Sequence, residues 1–206
     1  VLLGQNGDYG LPPSEVSALL HVGLSVHYLR GAYYPKGGGQ IISDKVAEAM
    51  EAAGGSVHLR RAVSEIVVEG GRVVGVKTQP HKGDPKFVKA KMVISNADLQ
   101  RTMLELVTQD QMPAEARKRA EKFKMAAAIY MTCMGVKGDL RDLGMTNTNY
   151  WQFDDYDMED YYRRIRSGGA PEPRCAYITS GSLKDPDCSH HAPAGHQTLE
   201  IMTVLS

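Results

Sequence analysis

The chain has 206 residues, 42% of them hydrophobic, which is enough apolar material for one large domain or two small ones and excludes a disordered protein. Its 24 basic and 24 acidic side chains cancel, and no basic stripe with interleaved aromatics occurs, so nucleic acid is not expected as a partner. The three cysteines, Cys133, Cys175 and Cys188, form no CxxC pair; they read as buried thiols of a reducing compartment, cytoplasmic or membrane-associated, with no disulfide. The longest apolar run, 126 to 136, is too short for the ~20 residues that span a bilayer, so no transmembrane helix is expected. The chain begins without methionine and ends in a strand-like pattern, Thr203-Val204-Leu205-Ser206, as a piece of a longer protein would.

In chain order, Pro12-Pro13-Ser14 predicts a helix start with Ser14 as N-cap, and the helix should run to about Leu29. Its apolar positions, Val16, Leu19, Leu20, Leu24, Val26 and Tyr28 among them, cover much of the circumference, which predicts burial on more than one side. His21 and His27 lack a carboxylate or cysteine at helical spacing and read as hydrogen-bonded packing residues.

Gly31-Ala32-Tyr33-Tyr34-Pro35 suits a short strand, and the glycines that follow lead into a helix from about Gln40 to Ala53, with Ile41, Ile42, Val46 and Met50 on one face. Gly54-Gly55 caps it, and a strand at Ser56 to Leu59 would complete an α/β unit. Two valine-rich runs, 64 to 69 and 72 to 78, joined by Gly70-Gly71, predict a β-hairpin. Met92-Val93-Ile94-Ser95 reads as a strand buried on both faces, after which Asn96 and Asp98 can cap a short helix, 99 to 107.

From Asp110 the pattern changes. A charged helix starts at Met112-Pro113, and strands are expected at 125 to 136, 150 to 153, 175 to 180 and 197 to 204. A helix at 158 to 166 and a proline- and histidine-rich loop at 185 to 196 interrupt them. This half predicts antiparallel strands with inserted helices.

The run Gly37-Gly38-Gly39-Gln40 is the main candidate site, because glycines accept positive φ and let a backbone or a flat ligand come close. It is not a phosphate cradle of either standard kind: GxGxxG needs glycine where Ile42 stands, and no Gly-Lys-Ser/Thr occurs. A tight turn that needs glycine for backbone geometry alone is the alternative. Asp187, Cys188, His190, His191 and His196 have the residue types of a metal site, but adjacent histidines point apart in an extended loop; the segment reads as solvated and no metal is expected. Cys133 reads as a buried thiol in a strand, and the acidic residues from Asp154 to Asp160 as a solvated helix start. Tyr150, Trp151, Phe153, Tyr156, Tyr161 and Tyr162 either line an apolar pocket or pack a core.

The segment from His27 through Gly31-Ala32-Tyr33-Tyr34-Pro35-Lys36-Gly37-Gly38, the helix to Gly54-Gly55, the hairpin opening at Ala62-Val63 and the run Val93-Ile94-Ser95-Asn96-Ala97 together resemble the middle of FAD-dependent oxidoreductases of the phytoene desaturase, carotenoid isomerase and retinol saturase family. Asp185 with Ala192-Pro193-Ala194-Gly195-His196 is similar to that family's Asp-Pro, Ala-Pro-Gly, His segment. The monoamine oxidase group is a more distant resemblance.

The resemblance implies an α/β fold: part of an FAD-binding Rossmann-like domain carrying the hairpin, and a substrate domain on an antiparallel sheet. Residues 1–30 would be a helical piece of the substrate domain, 31–107 part of the FAD domain and 108–206 substrate domain. It implies that Pro35, Gly37, Gly38, Gly39 and Gln40 face the isoalloxazine ring. Val63 would meet the adenine, and Ser95, Asn96 and Ala97 would lie along FAD. Tyr33, Tyr34 and Gln40 would touch a hydrophobic substrate, with no dedicated catalytic residue identified. The longer protein would make peripheral membrane contact. The family's GxGxxG unit and its C-terminal glycine-rich segment do not occur in this sequence, so the piece alone is expected to be inactive. A flavin amine oxidase and a non-catalytic scaffold are the alternatives, and oligomeric state is left open.

Overall fold

The computed structural model describes residues 3–124, 127–167 and 172–205. The helices among these are α1 (Ala18–Leu29), α2 (Gln40–Ala52), α3 (Leu99–Arg101, continued by a π turn Thr102–Leu106), α4 (Ala114–Glu121), α5 (Met158–Arg166) and α6 (Gly181–Lys184). The strands are β1 (Arg61–Glu69), β2 (Arg72–Pro80), β3 (Lys86–Lys89), β4 (Ala128–Lys137), β5 (Tyr150–Phe153), β6 (Cys175–Thr179) and β7 (His196–Leu205). The fold is thus mixed α/β, and its two sheets are antiparallel. The chain divides into two units, residues 1–49 with 126–206, and residues 50–125.

In the larger unit the sheet order is β4-β7-β6-β5. β4 pairs with β7 without interruption from Ala128↔Leu205 to Lys137↔His196. Met125, where the sequence predicts this strand to begin, lies outside the described residues. The core forms where α5 meets the sheet: Tyr161, Tyr162 and Ile165 bury against Cys175 and Val204, with Trp151 and Phe153 alongside. The spacing of those three positions puts them on one helix face. Both buried phenols are satisfied: Tyr161 donates to the Val204 carbonyl and Tyr162 to Asn6 Oδ1, each at 3.0 Å. Asp157 caps α5 by accepting from the Asp160 amide at 2.9 Å.

The segment before α1 lies on this sheet. A Cβ on Gly7 would stand 2.2 Å from Trp151 Cη2, so only glycine lets the backbone lie flat on the indole. Tyr28 donates to Asp8 Oδ2 at 2.7 Å and the Tyr9 hydroxyl pairs with His21 Nδ1 at 2.9 Å, which ties α1 to that segment.

The smaller unit is built on the hairpin. β1 pairs with β2 and β2 with β3, and Gly70 and Gly71 take φ of +55° and +75°, the left-handed pair that a two-residue turn requires. Gly54 is left-handed after α2, and the Gly55 amide donates to the Met50 carbonyl at 2.9 Å, closing the helix. Asp98 caps α3 by accepting from the Arg101 amide at 2.8 Å.

Several expectations need correction. The N-cap of α1 is Ser17, not Ser14, because Pro13–Glu15 forms a 3-10 turn first. That helix is not packed on several sides: Leu19 and Leu29 are 82% and 85% exposed, since no other described element covers them. The segments 31–35, 56–59 and 92–95 form no strand, because no partner strand reaches their backbone among the described residues. Ile94, expected to be buried, is 90% exposed. Cys133 is exposed, because among the described residues nothing covers either face of the first part of β4, where every residue from Ala128 to Cys133 is exposed. Among the described residues the three cysteines are free thiols, and no helix is long and apolar enough to cross a membrane.

Candidate functional site

In the larger unit the glycine run is closed over by a loop far away in sequence. Gly37 and Gly38 have φ of +94° and +80°. The Gly37 amide donates to Asp185 Oδ2 at 2.5 Å and the Gly38 amide to the Pro35 carbonyl at 3.0 Å. A Cβ on Gly38 would lie 2.8 Å from His191 Cε1, and one on Gly181 would lie 3.0 Å from His191 Nδ1 and 3.1 Å from the Tyr34 hydroxyl. The imidazole of His191 is therefore held between two glycines, and part of the room they leave is filled by this histidine.

Around that slot stand Tyr34, Lys184 and Glu200. Lys184 Nζ sits 5.4 Å from the Tyr34 ring centroid, a cation–π distance, and donates to Thr179 Oγ1. Burial lowers the Lys184 pKa, with the Glu200 charge opposing. Burial raises the Tyr34 pKa, and the charges of Glu200, Asp185 and Cys188 add to it. The Tyr34 and His191 rings are tilted at a centroid separation of 6.1 Å.

Gly39 and Gln40 differ from Gly37 and Gly38. Nothing lies within 4 Å of a Cβ on Gly39, whose φ is outside the left-handed region. Gln40 is exposed, its amide donating to Asp44 Oδ1 at 2.8 Å, and Tyr33 is 93% exposed. Gly39 and Gln40 thus present an uncharged, open surface at the start of α2.

In the smaller unit Val63 is 38% exposed, beside a register shift between Val63 and Glu65. Ser95, Asn96 and Ala97 are exposed; the Ser95 hydroxyl pairs with Thr102 Oγ1 at 2.8 Å and accepts from the Ala97 amide at 3.4 Å. The predicted cofactor residues therefore fall into two groups, Pro35 to Gln40 in one unit and Val63 with Ser95 to Ala97 in the other.

Lys184, Gly181 and Glu200 went unnamed in the sequence, and Asp185 entered only through the resemblance of its segment, without a site role. The signal for Asp185 is the three-residue spacing Asp185, Cys188, His191, which the adjacent pair His190-His191 masks in the sequence. Asp187, His190 and His196 are exposed, as a solvated loop would have them, whereas Cys188 and His191 are half-buried beside buried Asp185, the ligand atoms of these last three lying within 4.8 Å of one another. Backbone bonds from Cys188 to the Asp185 carbonyl (3.1 Å) and from His191 to the Cys188 carbonyl (3.3 Å) bring every third side chain back to one side.

The aromatic cluster divides by position. Tyr161 and Tyr162 are core, Tyr156 is 90% exposed, and the Tyr150 hydroxyl accepts from the Thr146 amide at 2.8 Å. Trp151 lines a hollow of about 310 Å³ with Ile129, Tyr177, Met202 and the Gly7-Asp8 backbone. That volume lies at the lower end of small-molecule sites.

The model of the flavin containing amine oxidoreductases matches residues 7–136, more than half of the chain, and the chain belongs to that family. Among curated relatives, the all-trans-retinol 13,14-reductase of Danio rerio is 29% identical over 205 residues, 96% of this chain and 33% of the relative. A second Danio rerio relative, named an inactive all-trans-retinol 13,14-reductase, is 27% identical and covers the same 96% and 33%. The neurosporene-forming phytoene desaturase of Cereibacter sphaeroides is 28% identical over 177 residues, 84% of this chain and 32% of the relative. The chain thus spans about a third of the length of these relatives. Among solved structures, an oxidoreductase from Methanosarcina mazei shares the fold, with a TM-score of 0.52 and 19% identity over 84% of this chain and 34% of the other.

Proposed function

We propose that the chain is the central part of an FAD-dependent oxidoreductase that adds or removes hydrogen across carbon–carbon double bonds of a hydrophobic polyene, retinoid or carotenoid in kind. The observation that carries this reading is that relatives named for retinol reduction and phytoene desaturation match 96% and 84% of the chain, across both units.

The residues present suit a flavin. Gly39 and Gln40 offer an uncharged, open face, and a larger side chain at position 39 would stand where the ring would lie. Gln40 and the backbone from Pro35 to Gly39 would hold the ring edge; Val63, Ser95, Asn96 and Ala97, in the smaller unit, are exposed. When bound, FAD supplies the two-electron chemistry, and the protein's part is to place the substrate and exclude water. Tyr33 and Tyr34 offer aromatic faces to an apolar chain. The hollow lined by Ile129, Trp151, Tyr177 and Met202 suits one end of such a molecule. A substrate of this kind partitions into membranes, so peripheral membrane contact of the longer protein belongs to the same reading.

The relative named inactive favours a second reading, in which the fold is kept as a non-catalytic binding protein. One preparation separates the two. The protein that carries this chain is purified, its flavin absorbance recorded, and anaerobic turnover measured for all-trans-retinol with a chemical reductant, and for phytoene and benzylamine with an artificial electron acceptor. Bound flavin with turnover of a polyene supports the enzyme reading. Colourless protein that takes up no FAD overturns it, and turnover of the amine alone replaces the substrate class.

A further inference from the structure

We propose that Asp185, Cys188 and His191 form a binding site for one divalent transition-metal ion of the zinc type. Neither the family nor its relatives' names assign a metal to this chain, and the inference stands independently of the flavin reading.

Two observations carry it. The carboxylate, thiol and imidazole ligand atoms of these three residues lie within 4.8 Å of one another. Separately, His191 Nε2 is buried and no group among the described residues hydrogen-bonds to it. A buried ring nitrogen without a partner is costly, and a bound ion is one of the standard reasons such an atom persists.

The chemistry of the donor set selects the ion. One nitrogen, one sulfur and one oxygen suit zinc, cobalt or nickel, whereas magnesium and calcium prefer oxygen alone. Bonds of about 2.0–2.3 Å to a tetrahedral ion place ligand atoms about 3.3–3.8 Å apart. The observed spacing closes to that range by a shift of about 1 Å, which side-chain rotation in a loop can supply. The Asp185 carboxylate and a Cys188 thiolate neutralise the dication, and three protein ligands leave a fourth position for water.

An outer partner is already in place. The Gly37 amide donates to Asp185 Oδ2 and orients the carboxylate, leaving Oδ1 for the ion. Binding would therefore fasten the loop to the turn at Gly37 and Gly38. The site is a clamp on the glycine run as well as a metal centre.

The test uses the protein carrying Cys133→Ser, which removes the exposed thiol, after treatment with chelator and dialysis. Titration with cobalt(II) chloride should show one equivalent bound, with tetrahedral ligand-field bands and a thiolate-to-cobalt charge-transfer band that zinc displaces. Cys188→Ser should abolish the charge-transfer band. Asp185→Asn and His191→Asn should weaken binding by more than about 100-fold, beyond the range typical of an outer-shell partner. His190→Ala and Asp187→Asn should leave affinity within about threefold, and far-ultraviolet circular dichroism verifies that each variant folds. No binding at one equivalent, a charge-transfer band that survives Cys188→Ser, or equal losses in the His190 and Asp187 variants would overturn the proposal.

Discussion

The packing of His191 against Gly38 can be tested by adding a single methyl group. In Gly38→Ala the new Cβ would stand 2.8 Å from His191 Cε1, at a backbone φ of +80°. The left-handed conformation costs an alanine about 1–2 kcal/mol. Moving the ring away adds an overpacking cost of about 1–3 kcal/mol. Only the second part depends on the histidine. A double-mutant cycle with His191→Ala should therefore recover about 1–3 kcal/mol, while the backbone cost stays. The assay is urea unfolding with chelator present, comparing midpoints at constant slope. Gly37→Ala is the control: it is also left-handed, but its Cβ meets Ile41 at 3.6 Å, ordinary contact, so it should show the backbone cost without coupling to His191. If Gly38→Ala and His191→Ala add without coupling, the histidine does not fill the room the glycine leaves.

Other outcomes follow from the same structure. Tyr162→Phe removes the donor to Asn6 Oδ1, 3.0 Å away, and leaves a buried carbonyl oxygen unpaired, so it should cost about 1–3 kcal/mol in urea unfolding. Tyr156→Phe, at 90% exposure, should stay within about 0.5 kcal/mol. Burial pushes the Cys175 thiol up to about 11 from 9.0. Between those values the folded state keeps a proton that the unfolded chain loses, so stability should fall as pH rises from 9 to 11, and Cys175→Ala should flatten that slope. An equal slope in both proteins would remove Cys175 as its source. Iodoacetamide at pH 8, read by mass spectrometry, should label exposed Cys133 well before buried Cys175.

What the sequence disclosed follows how local each feature is. The hairpin at Gly70-Gly71 is legible because its turn demands left-handed residues at two adjacent positions, and both are glycine. The helices at 40–52 and 158–166 are legible from spacing. Segments 31–35, 56–59 and 92–95 have strand composition, yet a strand exists only when another backbone pairs with it, and composition does not record its partner. Leu19 and Leu29 mislead in a related way, since an apolar helix surface announces a need for cover without saying what supplies it. At the site, Gly37 and Gly38 form the left-handed turn that the sequence allowed as the alternative, and Gly38 also leaves room for a neighbour. That the approaching group is His191, brought in by the loop after α6, depends on a contact distant in sequence. Lys184 and Glu200 carried no local signal at all.

In the proposed enzyme Gly39 and Gln40 would face the flavin. Gly39→Leu is the test: a Cβ there meets nothing within 4 Å in this chain, and replacing glycine before α2 by leucine should cost no more than about 2 kcal/mol. Flavin content and FAD affinity of the protein carrying this chain would be measured alongside its unfolding midpoint. One flavin per wild-type chain is expected, with at least a tenfold loss of FAD affinity in Gly39→Leu and a loss of stability of no more than about 2 kcal/mol. A Gly39→Leu variant that binds FAD as tightly as the wild type would remove Gly39 from the flavin site.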